Sequence, residues 1–407
     1  MRKCLQWVSF SLTVLIVLSL MLAGCAGGAA PEAAAKPTAA EAAKAAPASG
    51  AAPSGSILFG AVFATTGKYA GGEAGIGNGA KMAIEEINAK GGINGQKLEL
   101  QIEDTGSEQA GAVNAYNRVV AKNPVVILDT ALSSFALAQM PDIAKAQIPT
   151  FSHGDSPLVT QQGNSWVLRF TTPDNVTPVA AVQFAMDELK KSKVAIVRVN
   201  NEFGKSWEDG LLAELTKRNA KPATVEVFGA DDKDMTAQLT KVKSSGADVI
   251  IAVADPTTHA VLIKQRKQLG LGDMPYVGSN TAVHPQTLDL LKGGEAEGIY
   301  ALTSSVPPED PDQAVRDWNA KYKAKYGIDA DYLGAISYDV VMITADAIKA
   351  VGTDRTKIRD WIMQNVHGRK GMGNTYDVAT NGDAGLKVSI VQVKGGKAPI
   401  IKTIVAK

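Results

Sequence analysis

Apolar positions follow a strand period and a helix period in turn from Ser56 onward. Short uninterrupted apolar runs predict buried strands, and apolar positions at helical spacing predict amphipathic helices. The strands predicted for the first part of the chain are 57–64, 97–104, 125–129 and 149–152. The helices predicted between and after them are 73–90, 110–121 and 134–147. Such alternation is typical of strand–helix–strand units.

The same alternation restarts further along the chain. The strands predicted there are 194–200, 224–228, 248–254 and 276–278, and the helices are 207–219, 235–245 and 258–269. Helical periodicity returns over 310–349, and 388–393 and 400–405 are predicted as closing strands. Strands that alternate with helices form parallel sheets through right-handed crossovers, with helices on both faces. The predicted fold class is therefore α/β, with two lobes.

The N-terminal segment has the layout of a secretory signal peptide over 1–24. Arg2 and Lys3 precede an apolar run over 7–22, and small residues lead directly to Cys25, which resembles a bacterial lipobox. We expect Cys25 to be lipidated as the first mature residue; the alternative is an uncut signal anchor. Because Cys4 lies inside the signal, the mature chain retains no pair for a disulfide.

The next stretch, 26–55, consists mainly of Ala, Pro, Gly, Glu and Lys and has no large apolar side chain to bury. It is predicted to be a semi-flexible tether, so that 25–55 hold the folded part away from the membrane. The protein is therefore expected to be exported, as a periplasmic or cell-surface lipoprotein.

Charge narrows the possible partners. The 407 residues include 42 Lys and Arg against 41 Asp and Glu, and 45% are hydrophobic. Binding to phosphate backbones requires clustered positive charge, so nucleic acid is not expected as a partner.

In open parallel sheets, ligands bind outside the carboxyl ends of the strands. The loops after the predicted strands carry small polar residues there rather than catalytic sets. Ser133 and Ser134 open a predicted helix, whose N-terminal N–H groups and dipole favour a carboxylate. The alternative is that one of these serines only caps the helix, and one residue could do both.

Motifs for catalysis are missing from the sequence. It has no G-x-S-x-G, H-E-x-x-H or Walker sequence, and its four histidines show no metal-ligand spacing. Residues 75–80 match G-x-G-x-x-A, but about ten residues separate this pattern from the preceding strand, whereas a dinucleotide site needs it at the turn. We therefore expect no enzyme activity, no cofactor and no metal.

Several stretches together resemble the branched-chain amino acid type solute-binding proteins of ABC importers. They include GAVFATTG at 60–67, GAKMAIEEINAKGGING at 79–95, NEFG at 201–204 and EAEG at 295–298. Residues 136–138, 148–149 and 156–157 fall where that family carries similar sequences, so the resemblance extends from Ile57 to the C-terminus.

The resemblance implies a type I periplasmic-binding fold, in which two Rossmann-like lobes joined by three crossings close on a ligand. The crossings are expected near Thr171-Thr172, Leu302-Thr303 and Asn381-Gly382. The first lobe would comprise 56–172 and 303–380, and the second 173–302 and 381–407.

The resemblance also implies roles for individual residues. Ser133 and Ser134 match the serine region that receives the ligand carboxylate, His153 lies where a backbone carbonyl meets the ammonium, and Phe203 matches an aromatic residue over the ligand. The full set of expected ligand-binding residues is Tyr69, Ser133, Ser134, Phe135, His153, Asp155, Ser156, Phe203, Asp255 and Asn280.

Three positions depart from the family pattern. Asp155 stands where threonine is usual, Asp255 where an aromatic residue often lies, and Asn280 where leucine-type binders use a glutamate for the ammonium. A buried cation needs a carboxylate, so Asp155 or Asp255 is expected to replace that glutamate. For Asp155 the alternative is a cap of the turn before Ser156-Pro157. The expected ligand is an amino acid, with an amide, a polyamine-like or an aromatic compound as the alternative.

The expected partners are a small-molecule ligand, the membrane through the lipid, and ABC permease subunits, with the monomer as the family default. The alternative function is a ligand-sensing receptor or regulator for amides or aromatic acids. Such proteins carry an output or membrane segment after the lobes, and this sequence ends with strand 400–405, which favours transport.

Overall fold

The computed structural model describes residues 55–292, 294–304 and 307–405. The predicted signal peptide, the lipidation of Cys25 and the tether up to Ser54 lie outside these residues. Within the described part of the chain, no helix combines the length and apolar character needed to cross a membrane.

The first lobe is built on a five-stranded sheet whose neighbouring strands are all parallel. Its strands are β1 (Ile57–Phe63), β2 (Leu98–Asp104), β3 (Val126–Leu128), β4 (Thr150–Ser152) and β5 (Val167–Arg169), in the spatial order β2-β1-β3-β4-β5. The helices that connect them are α1 (Ala70–Ala89), α2 (Gln109–Val120), α3 (Ser133–Ala146) and α4 (Leu158–Gln161).

The second lobe begins with α5 (Thr177–Gln183), which continues as a π-helical turn over Phe184–Glu188. Its strands are β6 (Val194–Val199), β7 (Thr224–Phe228), β8 (Val249–Val253), β9 (Tyr276–Gly278) and β10 (Tyr300–Thr303). Its further helices are α6 (Glu202–Lys217), α7 (Thr236–Ser244), α8 (Pro256–Gln268), a 3₁₀ turn over Asn280–Val283 and α9 (Pro285–Leu290).

The chain then returns to the first lobe before it completes the second. The helices α10 (Gln313–Tyr326), α11 (Tyr332–Val351) and α12 (Arg355–Asn365) bury their apolar faces in the core of the first sheet. A hairpin follows, made of β11 (Arg369–Lys370) and β12 (Thr375–Tyr376). The last two strands extend the second sheet: β13 (Lys387–Gln392) pairs antiparallel with β10, and β14 (Ile400–Val405) pairs antiparallel with β13. The predicted α/β class with two lobes is confirmed.

Three segments connect the lobes, after β5, after β10 and before β13. The third lies later than the expected Asn381-Gly382. The Gly382 carbonyl accepts from the Arg169 N–H at 2.8 Å, and the Ala384 N–H donates to the Arg169 carbonyl at 2.8 Å. These bonds hold 382–384 on the first sheet, so the chain changes lobe only between Gly385 and Lys387.

The side chain of Asn374 joins the three connecting segments. Its Nδ2 donates to the hydroxyls of Thr172 at 3.1 Å and Ser304 at 3.3 Å. Its Oδ1 accepts from the backbone N–H of Leu386 at 3.2 Å and of Lys387 at 2.7 Å. Asn374 is buried. One amide group therefore fixes the relative position of the segments about which the lobes would move.

The glycines of the G-x-G-x-x-A pattern lie in the interior of α1, where α1 packs against α11. A Cβ atom at Gly79 would lie 1.9 Å from the Gly334 carbonyl oxygen, and one at Gly75 would lie 2.2 Å from Asp331 Oδ1. These glycines thus permit close contact between two helices. The pattern does not form the strand-to-helix turn that a dinucleotide site requires.

Candidate ligand-binding cleft

A cleft lies between the two lobes, at the carboxyl ends of their parallel strands. It encloses about 740 Å³, counting the part that is open to solvent. The residues that line it are Tyr69, Gly72, Glu73, Ala131, Leu132, Ser133, Ser134, Phe135, Asp155, Asn201, Phe203, Asp255, Pro256, Asn280, Thr281, His284, Tyr332 and Leu333.

The N-terminus of α3 points its first N–H groups into this cleft. Leu132 holds the N-cap position, and no side chain caps the helix. Within the described residues, the backbone N–H groups of Ser133 and Ser134 have no acceptor. The Ser133 hydroxyl instead accepts from the N–H of Ser156 at 3.2 Å. Free N–H groups at a helix N-terminus favour a negatively charged ligand group.

Asp155 is buried at the first lobe's side of the cleft. Its Oδ2 accepts from the Asn280 amide of the second lobe at 3.0 Å. Its Oδ1 has no hydrogen bond of normal geometry within the described residues. Burial raises the pKa of Asp155 to about 6, although the Thr171 hydroxyl and the Arg169 guanidinium oppose the shift. The Asp155 carboxylate therefore does not cap the turn that follows it.

Asp255 immediately precedes α8, at the second lobe's side of the cleft. It is 6% exposed, its carboxylate does not cap α8, and its Oδ2 has no partner within the described residues. Burial raises the pKa of Asp255 to about 6, while the nearby Lys68 ammonium lowers it. Burial and the charge of Asp255 also raise the pKa of Tyr69 to about 12.

Glu73 is a third acidic residue of the cleft, which the sequence analysis did not assign to the site. Its Oε1 accepts from the Thr130 hydroxyl at 2.5 Å and the Ala131 N–H at 2.6 Å, and its Oε2 accepts from the Ala64 N–H at 2.6 Å. Burial raises its pKa. Since both oxygens are used, Glu73 fixes the loops after β1 and β3 rather than offering a free ligand-binding group.

Aromatic side chains form much of the apolar wall. The Tyr69 and Phe135 rings pack edge to face, with centroids 6.0 Å apart, and Phe203 packs similarly on Trp207 at 6.3 Å. Tyr332 and Leu333 of α11 add to the wall. The sequence analysis missed these two because they follow no strand of either predicted series.

The side chains of His153 and Ser156 do not reach the cleft. His153 Nδ1 donates to the Asp129 carbonyl at 2.7 Å, so Nε2 accepts from the Ser337 hydroxyl at 2.9 Å. Burial lowers the pKa of His153 to about 4. Both side chains are used in hydrogen bonds away from the cleft, and the ligand-binding role expected of Ser156 stays a prediction. The backbone role that the resemblance implies for His153 stays a prediction.

Several polar contacts join the lobes around the cleft. The pairs are Lys68–Asp231 at 2.6 Å, Ser156 Oγ–Glu202 Oε1 at 2.8 Å, His284 Nε2–Asp331 Oδ2 at 3.1 Å and Asn280–Asp155 at 3.0 Å. The arrangement is therefore a closed one, in which groups of both lobes face one enclosed space.

Charge in the cleft is unbalanced. Among its described lining residues, three carboxyl groups are present and neither lysine nor arginine occurs. No three His, Cys, Asp or Glu side chains within the described part of the chain lie together as a metal site would require. Within the described residues, the groups without a hydrogen-bond partner thus include the N–H groups of Ser133 and Ser134 and one carboxylate oxygen each of Asp155 and Asp255.

Comparison with known proteins gives a consistent result. A family model described as periplasmic binding protein matches residues 56–398. An "amino acid binding protein" from Pseudomonas aeruginosa is 28% identical over 76% of this chain and 85% of its own length. A "Leu/Ile/Val-binding protein homolog 1" from Brucella melitensis is 26% identical over 73% of this chain and 79% of its own length.

Solved structures support the same family assignment. The leucine binding protein LivK from Thermotoga maritima superposes with a TM-score of 0.78 at 25% identity, over 86% of this chain and 99% of that one. A solute binding protein from Rhodopseudomonas palustris in complex with benzoate has a TM-score of 0.77 at 17% identity, over 87% and 98% of the chains, which shows a shared fold alone. The chain therefore belongs to the periplasmic binding protein family, as a type I member of the branched-chain amino acid type that its motifs predicted.

Proposed function

We propose that this protein is the lipid-anchored, substrate-binding component of an ABC importer, which captures a small amino acid and delivers it to a permease. Its lobes would comprise 56–172 with 303–384 and 173–302 with 387–407. The single observation that carries the proposal is the cleft, because it combines free N–H donors at α3 with a buried carboxylate at Asp155. These groups complement the two charged ends of an α-amino acid.

The ligand carboxylate would accept from the N–H groups of Ser133 and Ser134, where the helix dipole also favours negative charge. The ligand ammonium would donate to Asp155, whose free oxygen then gains a partner. The carboxylate and the ammonium of the ligand would both lose their water on binding. A ligand that left a charged group of the cleft without a partner would therefore bind with a much less favourable free energy.

Closure would couple binding to delivery. Asp155 belongs to the first lobe, whereas Asn280, Phe203 and Asp255 belong to the second. Only the closed form places all of them on one ligand, so a ligand shifts the population toward that form. A permease could then recognise the closed shape.

A thermal-shift titration of the purified full chain tests the proposal. A ligand at 100 times its Kd stabilises the native state by about 2.7 kcal/mol. We expect α-amino acids to raise the melting temperature and the corresponding amines and carboxylic acids, which lack one charged end, to have much smaller effects. If only amides or aromatic acids raise it, the sensing alternative gains support and the amino acid assignment fails.

The lipid anchor has its own test. Cys25→Ser removes the thiol that would be lipidated, so we expect the variant to leave the membrane fraction. The matched control is Cys4→Ser, which changes the cysteine inside the signal and should leave the protein with the membrane. Equal retention of both variants would contradict the anchor at Cys25.

A further inference from the structure

Two buried carboxylates, Asp155 and Asp255, line the cleft from different lobes, each with one oxygen that has no hydrogen-bond partner within the described residues. We propose that the ligand is an α-amino acid whose side chain carries a second positive charge. This inference rests on the proposed function and narrows its ligand class. The curated relatives are named for leucine, isoleucine and valine, or for amino acids in general, so a cationic side chain would distinguish this protein from the former.

The first position is Asp155. Its Oδ2 is held by Asn280, and its Oδ1 is free of normal hydrogen bonds within the described residues. The neighbouring guanidinium of Arg169 does not replace a ligand cation there. It is occupied by Asp383 at 2.6 Å and by backbone carbonyls of the Asp155 loop, including that of Asp155 itself at 2.8 Å. Asp155 therefore suits the ligand's α-ammonium.

The second position is Asp255, which belongs to the other lobe. The charged groups that act on it are Lys68 and Asp231, whereas Asp155 is affected by the charge of Arg169 and by a hydrogen bond from Asn280. The two carboxylates thus have different neighbours and belong to different lobes. Lys68 is near Asp255, but its ammonium pairs with Asp231 at 2.6 Å.

A neutral side chain would leave Asp255 buried without a partner. Asp255 is 6% exposed and its Oδ2 is free within the described residues. Burying an unpaired carboxylate is costly, and closure over a leucine-like side chain would incur that cost. An ammonium or guanidinium at the end of the side chain would supply both the charge and the hydrogen bond. Tyr69 and Phe135 would pack on the methylene groups.

Titration calorimetry on the full chain at pH 7.5 tests this with two matched ligand pairs. L-lysine is compared with L-norleucine, and L-arginine with L-citrulline, because each pair differs mainly by the charge at the end of the side chain. We expect the charged member to bind about tenfold more tightly or better, as a charge-assisted hydrogen bond implies. Neutral members that bind as tightly as the charged ones would overturn the inference while leaving the proposed function intact.

The Asp255→Asn variant tests whether Asp255 is the source of the preference for a charged side chain. We expect its ratio of lysine to norleucine affinity to fall toward one, whereas the control Asp209→Asn, in an exposed acid of α6 paired with Lys205, should keep the wild-type ratio. An unchanged ratio in Asp255→Asn would place the selectivity elsewhere and overturn the assignment. The melting temperature of each ligand-free variant shows whether it is folded.

Cadaverine, which is lysine without its carboxylate, provides the last comparison. We expect it to bind at least about tenfold more weakly than lysine, since it cannot use the N–H groups of Ser133 and Ser134. Cadaverine binding as tight as lysine would replace the amino acid by a diamine and overturn the inference. Absence of binding by charged and neutral amino acids alike would instead reject the proposed function itself.

Discussion

The Asn280 side-chain amide donates to the Asp155 carboxylate across the cleft, at 3.0 Å. These residues lie 125 positions apart in the sequence and belong to different lobes. Both stand where the resemblance predicted another residue. The contact joins two departures from the family pattern across the lobes, and the second Asp155 oxygen has no hydrogen bond of normal geometry within the described residues.

Replacing the carboxylate tests this unit. Asp155→Asn keeps the size of the side chain but removes its charge, so we expect affinity for every bound α-amino acid to fall about tenfold or more. Calorimetric titration of wild type and variant gives the ratio. The exposed Asp209→Asn is the control and should match wild type. Wild-type affinity in Asp155→Asn would remove Asp155 from the site.

Ligand affinity should depend on pH. Burial raises the pKa of Asp155 and of Asp255 from their usual 3.8 to about 6, so both are ionised at pH 7.5 and largely protonated at pH 5. A cationic ligand needs the ionised forms. We expect the affinity for lysine to fall at least about tenfold from pH 7.5 to pH 5, and less steeply in Asp255→Asn. Equal affinities at the two pH values would contradict this.

The same raised pKa values make the stability of the ligand-free protein change with pH in the direction opposite to ligand affinity. Between about pH 4 and pH 6 the folded state holds more protons on these carboxyls than the unfolded state does, so their contribution to stability falls as pH rises. The fall in unfolding free energy over this window should be smaller in Asp255→Asn than in wild type. Urea denaturation at several pH values measures the difference, and identical slopes would rule out a raised pKa at Asp255.

Asn374 should stabilise the fold by holding the three connecting segments together. Asn374→Ala removes the bonds of a buried amide to Thr172, Ser304, Leu386 and Lys387. We expect the free energy of unfolding to fall by about 2 to 4 kcal/mol. Denaturant titration measures it, with Asn381→Ala, at an exposed asparagine, as the control. Equal stability of the two variants would show that Asn374 does not hold the segments together.

The packing of α1 on α11 should tolerate no side chain at Gly79. A Cβ there would lie 1.9 Å from the Gly334 carbonyl oxygen, so Gly79→Ala should destabilise the fold by about 2 kcal/mol or more. Gly72→Ala in the same helix is the matched control, because a Cβ atom there would lie 3.6 Å from its nearest neighbour, the Gln286 side-chain oxygen. We expect that variant to gain about 0.5 kcal/mol from helix propensity. Thermal denaturation compares them, and similar effects would refute the packing argument.

Most element positions were predictable because strand and helix periods are local properties. The predicted strands 224–228 and 276–278 coincide with β7 and β9. By contrast, α6 begins at Glu202 rather than at 207, because the Asn201 side chain accepts from the Gly204 N–H and caps an earlier turn. The N-cap preference of asparagine is a local signal that would have found this start.

The predicted site residues came from loops after strands, and this rule placed Ser133, Asp155, Asp255 and Asn280 at one cleft. It did not find Tyr332, which follows no strand of either series and enters from the start of α11. It also included His153, for which the expected role is that of the backbone carbonyl; the ring itself turns into the protein to bond Asp129 and Ser337. The direction of a side chain depends on partners that a loop sequence does not contain.

The sequence by itself determined the two strand–helix series, the family, and the polar character of the loops that line the cleft. These depend on periodicity and on local motifs, which are properties of neighbouring residues. Only the tertiary structure decided that the first α3 N–H groups have no acceptor within the described residues, that Asn280 bonds Asp155, and that the Asp255 Oδ2 atom is buried without a partner there. Sequence patterns are local, whereas burial and hydrogen bonding depend on residues that are distant in the chain. Asn280 and Asp155, for example, lie 125 positions apart and meet where the two lobes face each other.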